Sequence, residues 1–444
     1  MPMLKIPFHR RILPWVFVVA FIFMAPALVF YTAGYRWNSK KGVIERNGTF
    51  IIDTNPRGAT IEINGKKLSD NTPVTLQNTA PGTYTLKLSK DGYHDWSKVF
   101  SIEPERVTFA TDIYLWPNSE PELITEGHFN KIYTDPNYKN ILLVDNLNVS
   151  STLISIMDFK ERSFTDFPTL TENLKIKNIH WDSAADEALI FTENNHTYRA
   201  NISDHLLSTL PDGCYHFEQG KLIGNTNEYL IKIDTNGALT RSDKSSTVLD
   251  SYGSMQIIDI AGSKGPVLIE KADADQGFVL PGGNWQFYDV QKNYIILNDG
   301  NRWLRLQLEN EPYSFTMAYA DAIYPITVKR ETFYLLHNNN EILTWMPNKE
   351  AELIYRQSEP LVSTSWHQDA MDIMMATEKE ISMIQLDDRS GRYKTVLVNF
   401  DEIFDAIIYE NEILILGTKD QKSGLWTLPL EKPSKSISPL GLLN

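Results

Sequence analysis

Cysteine is almost missing from this sequence. Cys214 is the one cysteine in 444 residues, so no intrachain disulfide can form and no cysteine-based zinc site can be built. Catalytic signatures are also missing. There is no G-x-S-x-G nucleophile elbow, no H-E-x-x-H zinc helix and no Walker A loop. The nine histidines are scattered, with His180 beside Trp181 and His367 beside Trp366, and read as strand residues rather than ligands. Asp273-x-Asp275-x-Gly277 has the opening spacing of a calcium loop but lacks the distal glutamate, so it reads as a solvated acidic loop. Paired acids such as Asp387-Asp388 and Glu103/Glu105 are what 56 acidic residues place together by chance. The sequence therefore predicts a protein that is not an enzyme, with no catalytic residues, cofactor or metal.

Positive charge is scarce and unevenly placed. Through Arg46 there are seven basic residues against one acidic, a net of +6, which leaves −20 for the remainder of a chain whose net charge is −14. A body that acidic repels phosphate backbones and excludes nucleic acid as a partner. The basic N-terminal end suits anionic lipid headgroups.

Long hydrophobic runs are absent apart from one. From Ile12 to Tyr35, 24 consecutive residues carry no charge. At 1.5 Å per residue such a helix is about 36 Å long, enough to cross a hydrocarbon core of about 30 Å. Trp15, Phe30, Tyr31, Tyr35 and Trp37 flank it as an interfacial aromatic belt would. A cleaved signal peptide is the main rival, because Ala25-Pro26-Ala27 resembles a cleavage site, but apolar sequence continues past it. The reading is a single-pass signal-anchor over 12–35, behind a short cytoplasmic arm at 1–11 and ahead of a juxtamembrane linker at 36–47.

Beyond Gly48 the hydrophobic period becomes two, the mark of half-buried strands. Phe50–Thr54 and Thr60–Ile63 alternate, and Asn64-Gly65 supplies the residues of a type I′ hairpin turn. Tyr84, Leu86 and Leu88 fall on one strand face. Val107, Phe109, Thr111, Ile113 and Leu115 fall on one face of another. The ordered turns Asn55-Pro56-Arg57-Gly58-Ala59, Asn64-Gly65, Thr72-Pro73, Pro81-Gly82-Thr83-Tyr84 and Lys90-Asp91-Gly92-Tyr93 resemble a PEGA domain, with Arg57 where the motif has glutamate. The resemblance covers about 48–116 and implies a small antiparallel β-sandwich, a domain placed at 48–117, used for binding in the envelope, with no enzymatic activity. Its motif residues Pro56, Gly58, Ala59, Gly65, Pro73, Pro81, Gly82, Tyr84, Gly92 and Tyr93 read as scaffold, fixing turns and packing edges.

From 118 to 444 no helical stripe occurs. Short apolar runs recur between polar turns: Ile141–Val144, Ala188–Phe191, Tyr229–Ile233, Tyr294–Leu297, Phe333–Leu336, Ile373–Met375 and Glu412–Leu416. Ile179–Phe191, Thr364–Ala376 and Asp405–Gly417 share one pattern of strand, polar turn and apolar strand. Asp234-Thr-Asn-Gly237 and Asn298-Asp-Gly300 mark turns. At 40–45 residues per repeat this predicts a β-propeller of about seven blades, within a range of six to eight, with two or three consecutive sandwiches as the alternative arrangement. The repeats resemble the irregular repeats of TolB-like envelope propellers. Trp181, Trp285, Trp303, Trp345, Trp366 and Trp426 suit either packing between blades or stacking on a glycan.

Mainly β architecture on a membrane anchor predicts an extracytoplasmic binding or scaffold protein at the cell membrane, N-terminus in the cytoplasm, whose propeller offers a face to an envelope protein or glycan. Two alternatives remain open from the sequence: a sensor or assembly factor working with a membrane partner, and a glycosidase or lyase using carboxylates in the propeller channel.

Overall fold

A computed structural model describes residues 8–32, 35–38, 43–135, 137, 139–148, 151–170, 174–194, 196–218, 221–226, 229–233, 239–243, 248–252, 255–258, 264–270, 273–308, 314–328, 331–346, 349–368 and 371–431. The Asp234–Gly237 turn signal and most of the arm at 1–11 lie outside these residues. The chain divides into two compact units, 1–118 with 387–395, and 119–386 with 396–444.

The first unit begins with helix α1 (Phe8–Thr32). It starts earlier than the uncharged run and ends before Tyr35, which instead opens a ribbon. Strand β1 (Tyr35–Asn38) pairs antiparallel with β2 (Val43–Arg46), so the segment expected to be a plain linker carries structure of its own. The window Trp15–Thr32 has a mean hydropathy of 2.2 and none of it is buried. A helix of that length and composition, near the N-terminus, is a candidate membrane anchor or signal sequence.

Seven strands follow: β3 (Gly48–Asn55), β4 (Thr60–Ile63), β5 (Lys66–Asn71), β6 (Val74–Thr79), β7 (Gly82–Ser89), β8 (Trp96–Ile102) and β9 (Val107–Tyr114). They form two sheets, β6-β3-β9 and β5-β4-β7-β8. All pairs are antiparallel except β3 with β9, which is parallel. The sandwich is thus mixed rather than purely antiparallel, because the chain crosses between sheets before β9 returns beside β3. Phe50, Ile52, Ile61, Leu86, Leu88, Trp96 and Phe100 form its core.

The β4–β5 hairpin has the expected turn, with φ of 50° at Asn64 and 78° at Gly65. The expected single face on β9 does not hold. Asp112 sits at φ 60° and the β3–β9 register shifts there. This bulge switches the phase, so Ala110, Ile113 and Leu115 are buried while Val107 and Phe109 are exposed.

The second unit is a ring of four-stranded antiparallel sheets, eight of them among the described residues. Blades 1 to 7 span 129–166, 176–210, 213–243, 248–279, 286–319, 322–356 and 361–399, and blade 8 takes its first three strands from 402–429. Its fourth strand is β10 (Glu122–Glu126), which pairs with Lys422–Pro429. The ends of the propeller chain are thereby sealed into one sheet. First strands touch between blades 3 and 4, 4 and 5, 6 and 7, 7 and 8, and 8 and 1, as the inner strands of a propeller do.

Eight blades stand at the top of the expected range for two reasons. From blade 2 onward successive blades start at 176, 213, 248, 286, 322, 361 and 402, only 35 to 41 residues apart. The eighth blade is also partly built from β10, which precedes the first repeat. The apolar runs in the sequence fall on second or third strands of blades, such as Asn140–Asn148, Glu187–Thr192 and Asp372–Thr377. These strands are covered on both faces by neighbouring blades, so their apolar residues run on without alternation.

Candidate functional site

The centre of the propeller is built from the first strand of each blade, and six of these eight strands share a local defect. The pairing of first with second strand shifts register between Phe129 and Lys131, Ile176 and Asn178, Val248 and Asp250, Phe287 and Asp289, Leu361 and Ser363, and Ile403 and Asp405. Each shift is a β-bulge near the start of the inner strand, which bends the strand and re-aims the next side chain.

Four of the re-aimed side chains reach the next blade. Asp250 Oδ2 accepts from the Phe287 N–H at 2.8 Å, linking blade 4 to blade 5. Asp289 Oδ2 accepts from the Tyr334 hydroxyl at 2.7 Å, linking blade 5 to blade 6. Ser363 Oγ accepts from the Ala406 N–H at 3.0 Å and donates to its carbonyl at 2.8 Å, linking blade 7 to blade 8. Asp405 Oδ2 accepts from the Ile132 N–H at 3.0 Å, linking blade 8 back to blade 1. Short acceptors at a bulge thus tie blade to blade inside the ring. In the sequence they show only as a polar residue a few positions into an apolar run, a signal too short to separate from chance.

Beside this seam lies an ion pair between blades 1 and 8. Lys131 Nζ lies 3.1 Å from Asp405 Oδ2. Asp405 is buried, at 4% exposure. The Lys131 side chain is 43% exposed, so water reaches it. Burial acts to lower the Lys131 pKa, but the Asp405 carboxylate and the Tyr324 and Tyr133 phenols outweigh it and the net direction is up. Burial pushes the Tyr133, Tyr288 and Tyr324 phenols up. Lys177 Nζ of blade 2 donates to Gln286 Oε1 of blade 5 at 3.3 Å. His180, bonded to the Asn178 amide at 2.9 Å, is pushed down to about 4 by burial.

The chemistry available follows from these states. Lys131 stays an ammonium and the phenols stay protonated, so they donate hydrogen bonds and take no protons at neutral pH. Asp405 accepts from Ile132 N–H and Lys131 through one oxygen and from the Ala406 N–H through the other. A carboxylate filled this way is a poor general base.

The other sequence candidates are structural in their surroundings. Trp285 and Trp345 are fully buried, and Trp303 and Trp426 nearly so. Each indole N–H finds an acceptor: Pro281, Ala320 and Gly417 carbonyls for Trp285, Trp303 and Trp426, and Thr316 Oγ1 for Trp345. Asp273, Asp275 and Gly277 lie on a strand of blade 4 rather than on a loop. Glu105 is paired with Arg46 at 2.7 Å and Glu103 with Arg106 at 2.6 Å. Among the described residues no group of three histidines, cysteines or carboxylates converges as a metal site.

The motif positions of the first unit lie at its turns. Ala59 is buried, Tyr84 donates from its hydroxyl to the Ala80 carbonyl at 2.7 Å, and Tyr93 packs on the sandwich core. Pro56, Gly58, Gly65, Pro73, Pro81, Gly82 and Gly92 sit in turns or at strand starts, exposed or half-buried.

The PEGA domain family matches residues 47–113, the span of the sandwich, which the chain joins to a propeller with eight blades among the described residues. No curated protein matches the chain. Propellers are among the solved structures similar to it. The Myceliophteria thermophila Cps50 (Swd1) β-propeller domain is 9% identical over 69% of this chain and 98% of that one, with a TM-score of 0.44. The RRP9 WD40 repeats are 9% identical over 70% and 98%, at 0.43. The Dos1 propeller is 10% identical over 71% and 95%, at 0.44. The blade count rests on the strand order above and not on these likenesses. A PEGA domain with a β-propeller suggests a binding or scaffold role.

Proposed function

We propose that this chain is a membrane-tethered binding or scaffold protein of the cell envelope that performs no catalysis. Helix α1 is its single anchor, the N-terminus lies in the cytoplasm, and the PEGA domain and propeller lie outside. The propeller presents its loops to a protein or a glycan. Loops carried on a rigid ring are where recognition is placed most readily, because they vary without disturbing the scaffold.

The observation that carries the non-catalytic reading is the Lys131–Asp405 pair. The buried carboxylate at the inner seam is filled by an ammonium and backbone N–H groups, and the surrounding phenols stay protonated. A channel glycosidase needs two carboxyl groups set about 5–10 Å apart, one of them free to carry a proton. Photo-crosslinkers placed in the propeller loops of the full chain in its native membrane test binding, with capture of a distinct envelope protein or glycan expected. Protease added to intact cells tests topology, and a shielded propeller overturns the location. Turnover of envelope glycans that disappears with D405N overturns the non-catalytic reading.

A further inference from the structure

Strand β8 carries a lysine where the sandwich needs an apolar residue. Trp96, Lys98, Phe100 and Ile102 all point inward, at 2%, 5%, 3% and 2% exposure. A buried ammonium without a partner is expensive, by several kcal/mol in protein interiors. The partner comes from 289 residues along the chain. Lys98 Nζ donates to the Asp387 carbonyl at 2.8 Å and to Asp387 Oδ2 at 3.0 Å. The segment 387–395 that supplies it belongs to the first compact unit, although the flanking residues belong to blade 7.

This segment is seated through three side chains. Asp387 meets Lys98, and its carboxylate is held at about 2, because hydrogen bonds from Arg389 and Lys98 outweigh the opposing effect of burial. Arg389 grips that carboxylate at 2.8 and 3.1 Å, donates to the Phe109 carbonyl at 2.9 Å and lies 5.7 Å over the Phe100 ring. Tyr393 packs 5.6 Å from Trp96 and donates to the Asp95 carbonyl at 3.1 Å. Between them Ser390 and Gly391 turn the chain at φ 58° and 91°. A tight turn bearing a carboxylate, a guanidinium and a phenol thus fills a cleft whose floor is a buried lysine flanked by Trp96 and Phe100.

We propose that this cleft is a peptide-recognition site of the PEGA domain and that residues 387–395 are its internal occupant. An external ligand would be an exposed turn of a protein with the same spacing, Asp-x-Arg-x-x-x-Tyr, and would bind by displacing the chain's own segment. Lys98 selects the carboxylate, the Phe109 carbonyl and Phe100 ring select the guanidinium, and Trp96 selects the phenol. The inference is independent of the propeller reading, since it names a different surface and does not depend on what the loops bind.

The test uses the full chain in detergent and a fluorescein-labelled peptide of residues 386–396. In one variant 387–395 becomes a glycine-serine stretch of equal length; in another, D387A/R389A/Y393A keeps the loop and removes its anchors. Anisotropy should show saturable binding to both variants, weaker by about tenfold or more on the unmodified chain, where the site is filled. K98Q added to either variant should weaken binding by a similar factor. No saturable binding to either variant, equal binding to the unmodified chain, or equal binding of a scrambled peptide overturns the proposal.

Discussion

Lys131 and Asp405 stand 3.1 Å apart although 273 residues separate Asp405 from the Ile132 N–H it also holds. The pair closes the ring on the inside, while β10 closes it on the outside. Removing the acid leaves an ammonium and a backbone donor facing no acceptor. D405A should therefore cost about 3 kcal/mol, whereas K131M, which removes the more exposed partner, should cost about 1 kcal/mol. Urea midpoints of the two variants against the unmodified chain measure the difference, and equal midpoints would contradict this account of the seam.

The outer closure depends on a close approach. A Cβ on Gly424 would meet the Thr125 carbonyl at 2.1 Å and Glu126 Cα at 3.0 Å. Both are backbone atoms of β10 and cannot step aside without breaking the pairing. G424A should lower stability by about 2–4 kcal/mol and make the Glu122–Glu126 strand a site of early proteolytic cleavage. Limited proteolysis with mass spectrometry reads the cut position.

His180 gives the propeller a pH dependence. Burial holds its folded-state pKa at about 4, below the ordinary 6.5, so the folded state resists the proton that the unfolded state accepts. The associated stability is present above pH 6.5 and is lost as pH falls from there toward 4. Between pH 7 and 5 the unmodified chain should lose about 2 kcal/mol more than H180Q. Denaturation at the two pH values in both proteins supplies the comparison.

In the PEGA domain, Gly65 holds φ 78° with no atom within 4 Å of where a Cβ would stand. Alanine there pays only for its left-handed backbone, about 1 kcal/mol. G58A, at φ 86° and with Lys90 Nζ 3.2 Å from the same point, should cost more than G65A. Thermal melts of the two variants rank them.

Much of the fold is legible in the sequence. The 24-residue uncharged run marks α1, and Asn64-Gly65 marks its hairpin to the residue. The repeats Ile179–Phe191, Thr364–Ala376 and Asp405–Gly417 prove to be the first two strands of blades 2, 7 and 8. The site was far less legible. Asp387 looked like half of a chance acidic pair, and nothing in the sequence singled out Lys98. Nothing in the sequence marked Asp250, Asp289 or Ser363, and Asp405 showed only as the first residue of a strand–turn–strand repeat.

The sequence alone determined element type, because helix and strand periods and turn conformations are set by neighbours a few residues apart. Tertiary structure decided the blade count, since the eighth sheet needs a strand from before the first repeat. It also decided the phase of β9, which a single residue at positive φ reverses. Above all it decided which charges are paired: Lys98 with Asp387 and Lys131 with Asp405 are joined across hundreds of residues. No local pattern records such contacts, because their energy comes from burial that exists only once the chain has closed on itself.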